Sequence, residues 1–116
     1  MVLNNLAYLL AETGGNLDEA LGFASTGARK APDNPNLQDT LAWIHVKKGN
    51  ASTAIPILSS ITQKYPNDAT FHYHYAAALL RKGDRTEARL ELQTALSKQP
   101  SQPLEGQIRS LLAQAQ

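Results

Sequence analysis

Small residues and prolines recur along this chain at a single interval of 34 residues. Three sets keep the interval: Pro32, Pro66 and Pro100; Gly15, Gly49 and Gly83; and Ala20, Ala54 and Ala88. A repeat of this length, built on small residues and closed by a proline, is typical of stacked helical hairpins. Such an array buries its core between neighbouring units and presents an extended concave surface. We therefore predict an all-α solenoid.

Helix-ending and helix-starting residues divide the chain into three hairpins and a last helix. Gly14 and Gly15 are expected to end the first helix, since glycine takes the left-handed C-cap geometry without penalty. The double glycine indicates a one-residue insertion, so motif positions before it lie one residue early. We predict one domain over 1–116 with seven helices: repeats at about 1–34, 35–68 and 69–102, then a capping helix at about 103–115.

Capping residues support these boundaries. Asn16 with Glu19 and Asp84 with Glu87 have the spacing of capping boxes. Asn34 is a predicted N-cap, followed by Pro35 at a first helical position, where a missing N–H costs nothing. Pro56 falls in the second turn of the fourth helix and removes its hydrogen bond to the Ser52 carbonyl. We predict a local perturbation there and no break.

Composition excludes several classes of function. The formal net charge of +1 gives no reason to expect nucleic acid or an anionic membrane as partner. The chain has no cysteine, which removes disulfides and thiolate chemistry. No apolar stretch approaches the roughly 20 residues of a membrane span. We expect no direct membrane insertion by this segment.

The residues that carry chemistry have ordinary structural explanations. His72 and His74 lie two positions apart on a helix and project from opposite sides, so they cannot chelate one ion together. His45 holds a position that is usually packed between helices. The serines lack a neighbouring histidine–acid pair, and the double glycine lacks the spacing of a phosphate loop. We predict no enzyme, no metal site and no cofactor.

The basic residues also fit a structural role. Lys30, Lys64 and Lys98 lie near the ends of second helices, where cations complement the helix dipole. Arg85 and Arg89 alternate with acidic residues, as on an ordinary solvated helix face. We therefore do not expect nucleic-acid binding.

The repeat resembles the tetratricopeptide repeat family. The third unit matches its consensus at Tyr75-Ala76-x-x-Leu79, Gly83-Asp84, Ala88-x-x-x-Leu92, Ala95 and Pro100. The second unit matches it at Leu41-Ala42, Gly49-Asn50, Ala54-x-x-x-Leu58, Ile61 and Pro66. The resemblance implies a non-catalytic scaffold that binds an extended peptide or a helix of a protein partner in its concave groove. The partner's identity does not follow from it.

In this family the first helix of each hairpin lines the groove. The matching positions here are Asn4, Asn5, Tyr8, Glu12, Asp39, Thr40, Trp43, Lys47, Tyr73, His74, Ala77 and Arg81. Tyr8, Trp43, Tyr73 and His74 would form an aromatic strip, as expected of a peptide-binding surface. The alternative is that Trp43 and Tyr73 pack against neighbouring helices.

Chaperone-binding members of the family grip a terminal carboxylate with Lys, Asn and Arg side chains. The corresponding residues here are Asn4, Tyr8, Thr40, Thr70 and His74. That clamp is missing, so we do not expect chaperone tails to bind.

The first helix presents a face with no preceding unit. Leu37 and Ile44 should pack onto the second helix of the unit before them, and their counterparts in the first unit are Val2 and Leu9. An uncovered apolar face needs a partner. We expect a C-terminal piece of a longer solenoid, with a homodimer through the first helix as the alternative. A purely structural terminal cap and an accessory domain of an enzyme are further alternatives.

A narrower resemblance concerns the stretches 4–10, 31–35, 39–44, 73–79 and 103–112. They look like the C-terminal end of bacterial repeat lipoproteins that are found with exopolysaccharide and protein-sorting loci, although the acylated cysteine of such proteins is absent. This resemblance implies a scaffold or a self-association module that is periplasmic or tethered to the outer membrane. If the resemblance does not hold, we expect a cytoplasmic location.

Overall fold

The computed structural model describes the backbone of residues 2–116 and the side chains of residues 6–116; this part of the chain contains seven α-helices and no strand. The helices are α1 (Val2–Glu12), α2 (Leu17–Lys30), α3 (Pro35–Lys47), α4 (Ala51–Lys64), α5 (Ala69–Lys82), α6 (Arg85–Ser97) and α7 (Gln102–Gln114). The predicted all-α solenoid of three hairpins and a capping helix is confirmed. Across the described residues, no helix is both long and apolar enough to cross a membrane.

The helices begin at the predicted caps. The side chains of Asn16 and Asp84 each accept a hydrogen bond of 3.1 Å from the amide three residues on, at Glu19 and Glu87. Asn34 accepts from two amides at the start of α3, at 3.0 and 3.3 Å. Each bond satisfies an amide that the first helical turn leaves without a partner.

Each hairpin turns at a glycine in the left-handed region. Gly14, Gly49 and Gly83 have φ values of +75°, +86° and +94°. The residue after each of them donates its amide to a carbonyl five residues earlier, at 2.8 to 2.9 Å. Gly14 is thus the equivalent of the two later glycines, and Gly15 is the inserted residue. A Cβ on Gly15 would lie 3.1 Å from the Leu10 carbonyl oxygen, which explains why a second glycine follows the first.

The helix α4 runs through its internal proline without interruption. Pro56 is exposed and lies within Ala51–Lys64. Its ring removes one backbone hydrogen bond near the start of the helix, and the turns on either side keep their pattern.

The seven helices pack in two layers. Each helix contacts its neighbours in sequence, and α1, α3, α5 and α7 also contact one another in series. In the described part of the chain, α2, α4 and α6 make no such contacts with one another. The odd-numbered helices therefore form the inner wall of a curved array, and the even-numbered helices form its outer wall.

The repeat alanines lie where the two layers meet. Ala20, Ala54 and Ala88 are all fully buried, because their small side chains let the second helix of each hairpin approach the first. The units also pack in series as predicted. Ile44 joins a cluster with Ala20 of α2, and Phe71 joins a cluster with residues of α4.

The capping helix is attached in a way that the sequence did not indicate. Arg89 donates a hydrogen bond of 2.8 Å to the Ala115 carbonyl, and Arg85 donates one of 3.2 Å to the Gln116 carbonyl. Both guanidinium groups thus reach the C-terminal end of α7, where the helix dipole favours positive charge. Arg85 is exposed as predicted, whereas Arg89 is half-buried, and neither contact with α7 was predicted.

We predict that Ala54→Leu destabilises the fold by about 1–3 kcal/mol, because the added methylenes have no room between the helices of the hairpin. Urea unfolding followed by circular dichroism measures the change. The matched control is Ala113→Leu, which adds the same atoms at an exposed helical position and should change the free energy of unfolding by less than about 0.5 kcal/mol. Equal effects of the two substitutions would contradict the packing described here.

Candidate functional site

The inner wall carries two adjoining depressions. The tyrosine depression, of about 270 Å³, is lined by Tyr8, Glu12, Trp43, Lys47, Thr70, Tyr73, His74, Ser101, Pro103, Leu104 and Gln107. The arginine depression, of about 280 Å³, is lined by Trp43, Val46, Lys47, Tyr73, Ala77, Leu80, Arg81, Leu111 and Gln114. Because Trp43, Lys47 and Tyr73 line both, the two depressions form one continuous groove.

Trp43 is fixed at the junction of the two depressions. Its indole N–H donates to a carboxylate oxygen of Glu12, with the two atoms 3.3 Å apart. The Lys47 ammonium lies 5.1 Å from the centroid of the indole ring and 3.2 Å from the same Glu12 oxygen. Partial burial opposes ionisation of Glu12, but the bonds from Lys47 and Trp43 hold the pKa of its carboxyl below the ordinary value. A charged side chain of α1 and one of α3 thus hold the tryptophan between them.

A buried hydrogen-bonded pair lies beneath the tryptophan. The His74 ring stacks on Trp43 with centroids 4.1 Å apart, and its Nδ1–H donates to both carboxylate oxygens of Asp39, at 2.8 and 2.9 Å. His74 is 1% exposed and Asp39 is 6% exposed. Burial raises the pKa of the Asp39 carboxyl, and the adjacent His74 opposes that rise. The pair joins α3 to α5 and holds the imidazole flat under the indole.

Two tyrosines form the accessible aromatic edge of the groove. Tyr8 is 37% exposed, and the Tyr73 ring lies 6.0 Å from that of Trp43 between centroids. Burial and the nearby Glu12 charge raise the pKa of Tyr8 to about 12, and the same two causes raise the pKa of Tyr73. Both phenols are therefore neutral at ordinary pH.

The structure brings most of the predicted groove residues together. Eight line the two depressions: Tyr8, Glu12, Trp43, Lys47, Tyr73, His74, Ala77 and Arg81. The His74 ring lies within 6.5 Å, between centroids, of each of the other three rings of the predicted strip. Trp43, however, is only 7% exposed, and His74 is buried beneath it. Trp43 therefore packs against neighbouring helices, as the alternative had it.

Two further predicted positions are buried and do not line the depressions. Asp39 and Thr40 are buried, and the Thr40 hydroxyl donates to the Asn36 carbonyl at 3.0 Å. Asn4 and Asn5, like Val2 of the proposed stacking face, lie outside the residues whose side chains are described. The binding roles of the whole set stay predictions.

The contribution of the capping helix was not anticipated. The linker before α7 and the helix itself supply the polar Ser101, Gln107 and Gln114 and the apolar Pro103, Leu104 and Leu111. The interval of 34 residues could have found them, because Leu104, Gln107 and Leu111 follow Thr70, Tyr73 and Ala77 at that distance. The last helix thus continues the inner wall in the register of the repeats.

The other two histidines have separate structural settings. His45 has a buried Nδ1 with no hydrogen-bond partner among the described residues, and burial together with Lys48 lowers its pKa. The two ring nitrogens of His72 lie 2.8 Å from a Glu91 carboxylate oxygen and 2.7 Å from the Pro66 carbonyl oxygen. In the side chains that the structure describes, no cluster of three or more His, Asp or Glu residues could hold a metal ion.

Comparison with known proteins agrees with this architecture. The sequence profile of the tetratricopeptide repeat matches residues 45–115. A TPR repeat-containing protein of Pseudomonas aeruginosa is 31% identical over 67 residues, which are 58% of this chain and 11% of that protein. The chain belongs to the tetratricopeptide repeat family, and its match spans about a tenth of the length of this bacterial relative.

Solved structures show the same fold. The first TPR domain of the human RPAP3 protein superposes with a TM-score of 0.79 at 19% identity, over 98% of this chain and 89% of that domain. A mutant of the protein MamA superposes with a TM-score of 0.72 at 23% identity, over 98% of this chain and 64% of that one. At these identities the likeness supports the fold alone.

We predict that His72 makes stability depend on pH in the neutral range. Both ring nitrogens of His72 face hydrogen-bond acceptors, so both bonds form only when the ring is the protonated imidazolium. The hydrogen bond to Glu91 raises the pKa of His72, and the bond to the Pro66 carbonyl raises it further, while burial opposes the rise. A raised folded-state pKa contributes stability that is complete below the ordinary value of 6.5 and is lost as pH rises through the folded-state pKa.

Urea unfolding of the wild type and His72→Gln at pH 6 and pH 9 measures this effect. The stability advantage of the wild type should shrink between the two pH values. An advantage that is constant with pH would show that the His72 charge does not contribute.

Proposed function

We propose that this chain is a non-catalytic protein-interaction domain that binds an extended peptide or a helix along the inner wall of α1, α3, α5 and α7. The observation that carries the proposal is the continuity of the two depressions across Trp43, Lys47 and Tyr73. A concave surface with aromatic residues at its centre and polar groups at its edges has the composition of a recognition surface.

The groove floor favours binding because it is already ordered. Trp43 is held by Glu12, Lys47 and His74, so its rotamer entropy is lost on folding and need not be lost again on binding. Tyr8 and Tyr73 stand above this floor with part of their rings accessible. Aromatic side chains of this kind commonly dominate the energy of an interface.

The cellular setting stays a prediction. A role in an exopolysaccharide or protein-sorting system, at the periplasmic side of a membrane, follows only from the narrower resemblance to repeat lipoproteins. The sequence of the full-length gene product tests it, since a lipoprotein signal ahead of this segment is what the resemblance requires.

We predict that Tyr8→Ala and Tyr73→Ala each weaken peptide binding at least about tenfold, the effect expected of an interface hot spot. The peptides are first selected by display on the wild-type chain, and their dissociation constants are then measured by fluorescence polarisation. Circular dichroism checks that each variant is folded. Trp43→Ala is a poor test, because removing a buried indole costs about 3–5 kcal/mol of stability.

A matched pair of variants separates the inner wall from the outer wall. Gln107→Arg places a bulky cation in the tyrosine depression, whereas Gln93→Arg places it on α6, at an exposed position of the outer wall. The first should reduce binding and the second should not. Equal binding by both variants would contradict a groove on the inner wall.

A second proposal concerns the outer face of α1. Leu9 is 60% exposed, although Ile44 and Ala78, which hold the same register in the later units, are fully buried by the helix pair before them. Leu6 on the same helix is 39% exposed. We propose that this face stacks against another helix pair of the same kind, in a longer solenoid; a second copy of the chain is the alternative occupant.

We predict that an added unit stabilises the array. Placing a copy of residues 35–69 ahead of Met1 continues the register, and the covered Leu9 should raise the free energy of unfolding, since burying a leucine side chain contributes about 1.5–3 kcal/mol. Leu9→Lys should remove the gain in the extended chain and leave the original chain nearly unchanged. Light scattering at several concentrations tests the alternative: a mass that doubles in the wild type and not in Leu9→Lys would favour the homodimer.

A further inference from the structure

We propose that the arginine depression is a carboxylate subsite, which takes an Asp or Glu side chain from an internal position of the bound segment. The inference rests on the proposed function and specifies the chemistry of the partner. Its two cations are Lys47 and Arg81, and neither occupies one of the clamp positions that chaperone-binding relatives use.

The charges that line this depression are all positive. Lys47 and Arg81 are its charged residues, and no acidic side chain lines it. The carboxylate that neutralises Lys47 belongs to Glu12, which lines the tyrosine depression. Because Glu12 balances only one of the two cations, the arginine depression keeps a net positive charge.

Arg81 is available for a ligand. It is exposed at the end of α5, and within the described residues it makes no salt bridge and no side-chain hydrogen bond. An arginine here could simply complement the helix dipole. Other groups already complement the C-terminal end of α5. The amides of Gly83 and Asp84 donate to the carbonyls of Leu80 and Leu79, and Lys82 supplies another positive charge. A guanidinium that is not required by the helix end can pair with a carboxylate in two parallel hydrogen bonds.

The surroundings of Arg81 strengthen such a pair. Val46, Ala77, Leu80 and Leu111 make the rest of the lining largely apolar, and an ion pair gains energy when water is partly excluded. These same side chains offer contact area to an apolar residue next to the acidic one. The subsite therefore fits a segment in which an acidic residue neighbours an apolar residue.

The two depressions differ in a way that orients the segment. In the tyrosine depression the Glu12 carboxylate is already paired with the Lys47 ammonium, and the neighbouring Thr70, Ser101 and Gln107 are neutral. A ligand carboxylate finds no unpaired cation beside the Glu12–Lys47 pair, whereas beside Arg81 it meets a guanidinium with no partner among the described residues. A neutral end and a positive end thus give the groove a direction.

Peptide pools of matched composition test the subsite. Three pools of octapeptides, acetylated and amidated at their ends to remove terminal charges, carry a central Glu, Gln or Lys between randomised Leu, Phe and Ser positions. The pools are passed over the immobilised full chain, and retention is measured by mass spectrometry. We expect the Glu pool to be retained about tenfold more strongly than the Gln pool, and added salt to reduce the preference.

Arginine variants assign the preference to the subsite. Arg81→Gln should erase the preference for Glu, and Arg81→Glu should turn it into a preference for Lys. Lys82→Gln is the matched control, because it removes an exposed cation from the adjacent position, which does not line the arginine depression. This variant should keep the preference of the wild type for the Glu pool. Circular dichroism confirms that the variants are folded.

The outcomes separate the two proposals. Equal retention of the Glu and Gln pools, or a Glu preference that survives Arg81→Gln, overturns the carboxylate subsite and leaves groove binding intact. Failure of the folded wild type to retain any pool overturns the proposed function and the subsite together.

Discussion

The close approach of helices across the repeat alanines is the constraint on which the rest of the structure depends. Ala20, Ala54 and Ala88 are buried completely, so at these positions only a methyl group separates the second helix from the first. Packing of this kind repeats from unit to unit, and it brings α1, α3, α5 and α7 into contact in series while the outer helices stay apart. A curved array and an inner wall are direct consequences. The groove is therefore a product of packing between units, and it would be lost with the order of the stack.

The buried pair of Asp39 and His74 adds a polar constraint to this apolar packing. Desolvating a carboxylate is costly unless a charge and hydrogen bonds replace its water. Here His74 offers one N–H to both oxygens, which fixes α3 relative to α5 at one depth and one rotation. The same ring supports the face of Trp43, whose edge is bonded to Glu12 of α1. One chain of contacts thus runs from α1 through α3 to α5, and it sets the shape of the groove floor.

The 34-residue interval predicted the stacked hairpins and the inserted glycine, and the residue types at the helix ends predicted the caps. The choice of the first helices as the inner wall followed from the resemblance to the tetratricopeptide repeat family. The interval could also have predicted the groove residues of α7, which follow the same register. It could not predict the Asp39–His74 pair, because the two residues hold different positions in their repeats and meet only through packing. Nor could it show that Trp43 is buried, since its exposure depends on the carboxylate that α1 brings to it and on the rings that α5 brings to it. The contacts of Arg85 and Arg89 depend on where α7 ends, which periodicity does not specify.

The dimensions of the array limit how a partner can be recognised. Its longest extent is 35 Å, along which a fully extended chain would place about ten residues. The floor beneath such a segment is rigid and mostly buried, so it offers shape and little freedom to adapt. On the proposed function, selectivity comes from the groups that remain accessible at the edges. In the described part of the groove these include the two tyrosine rings, Gln107 and the guanidinium of Arg81. Because the repeat alanines and the Asp39–His74 pair are buried, the edge residues can be substituted without removing the contacts that hold the wall in place.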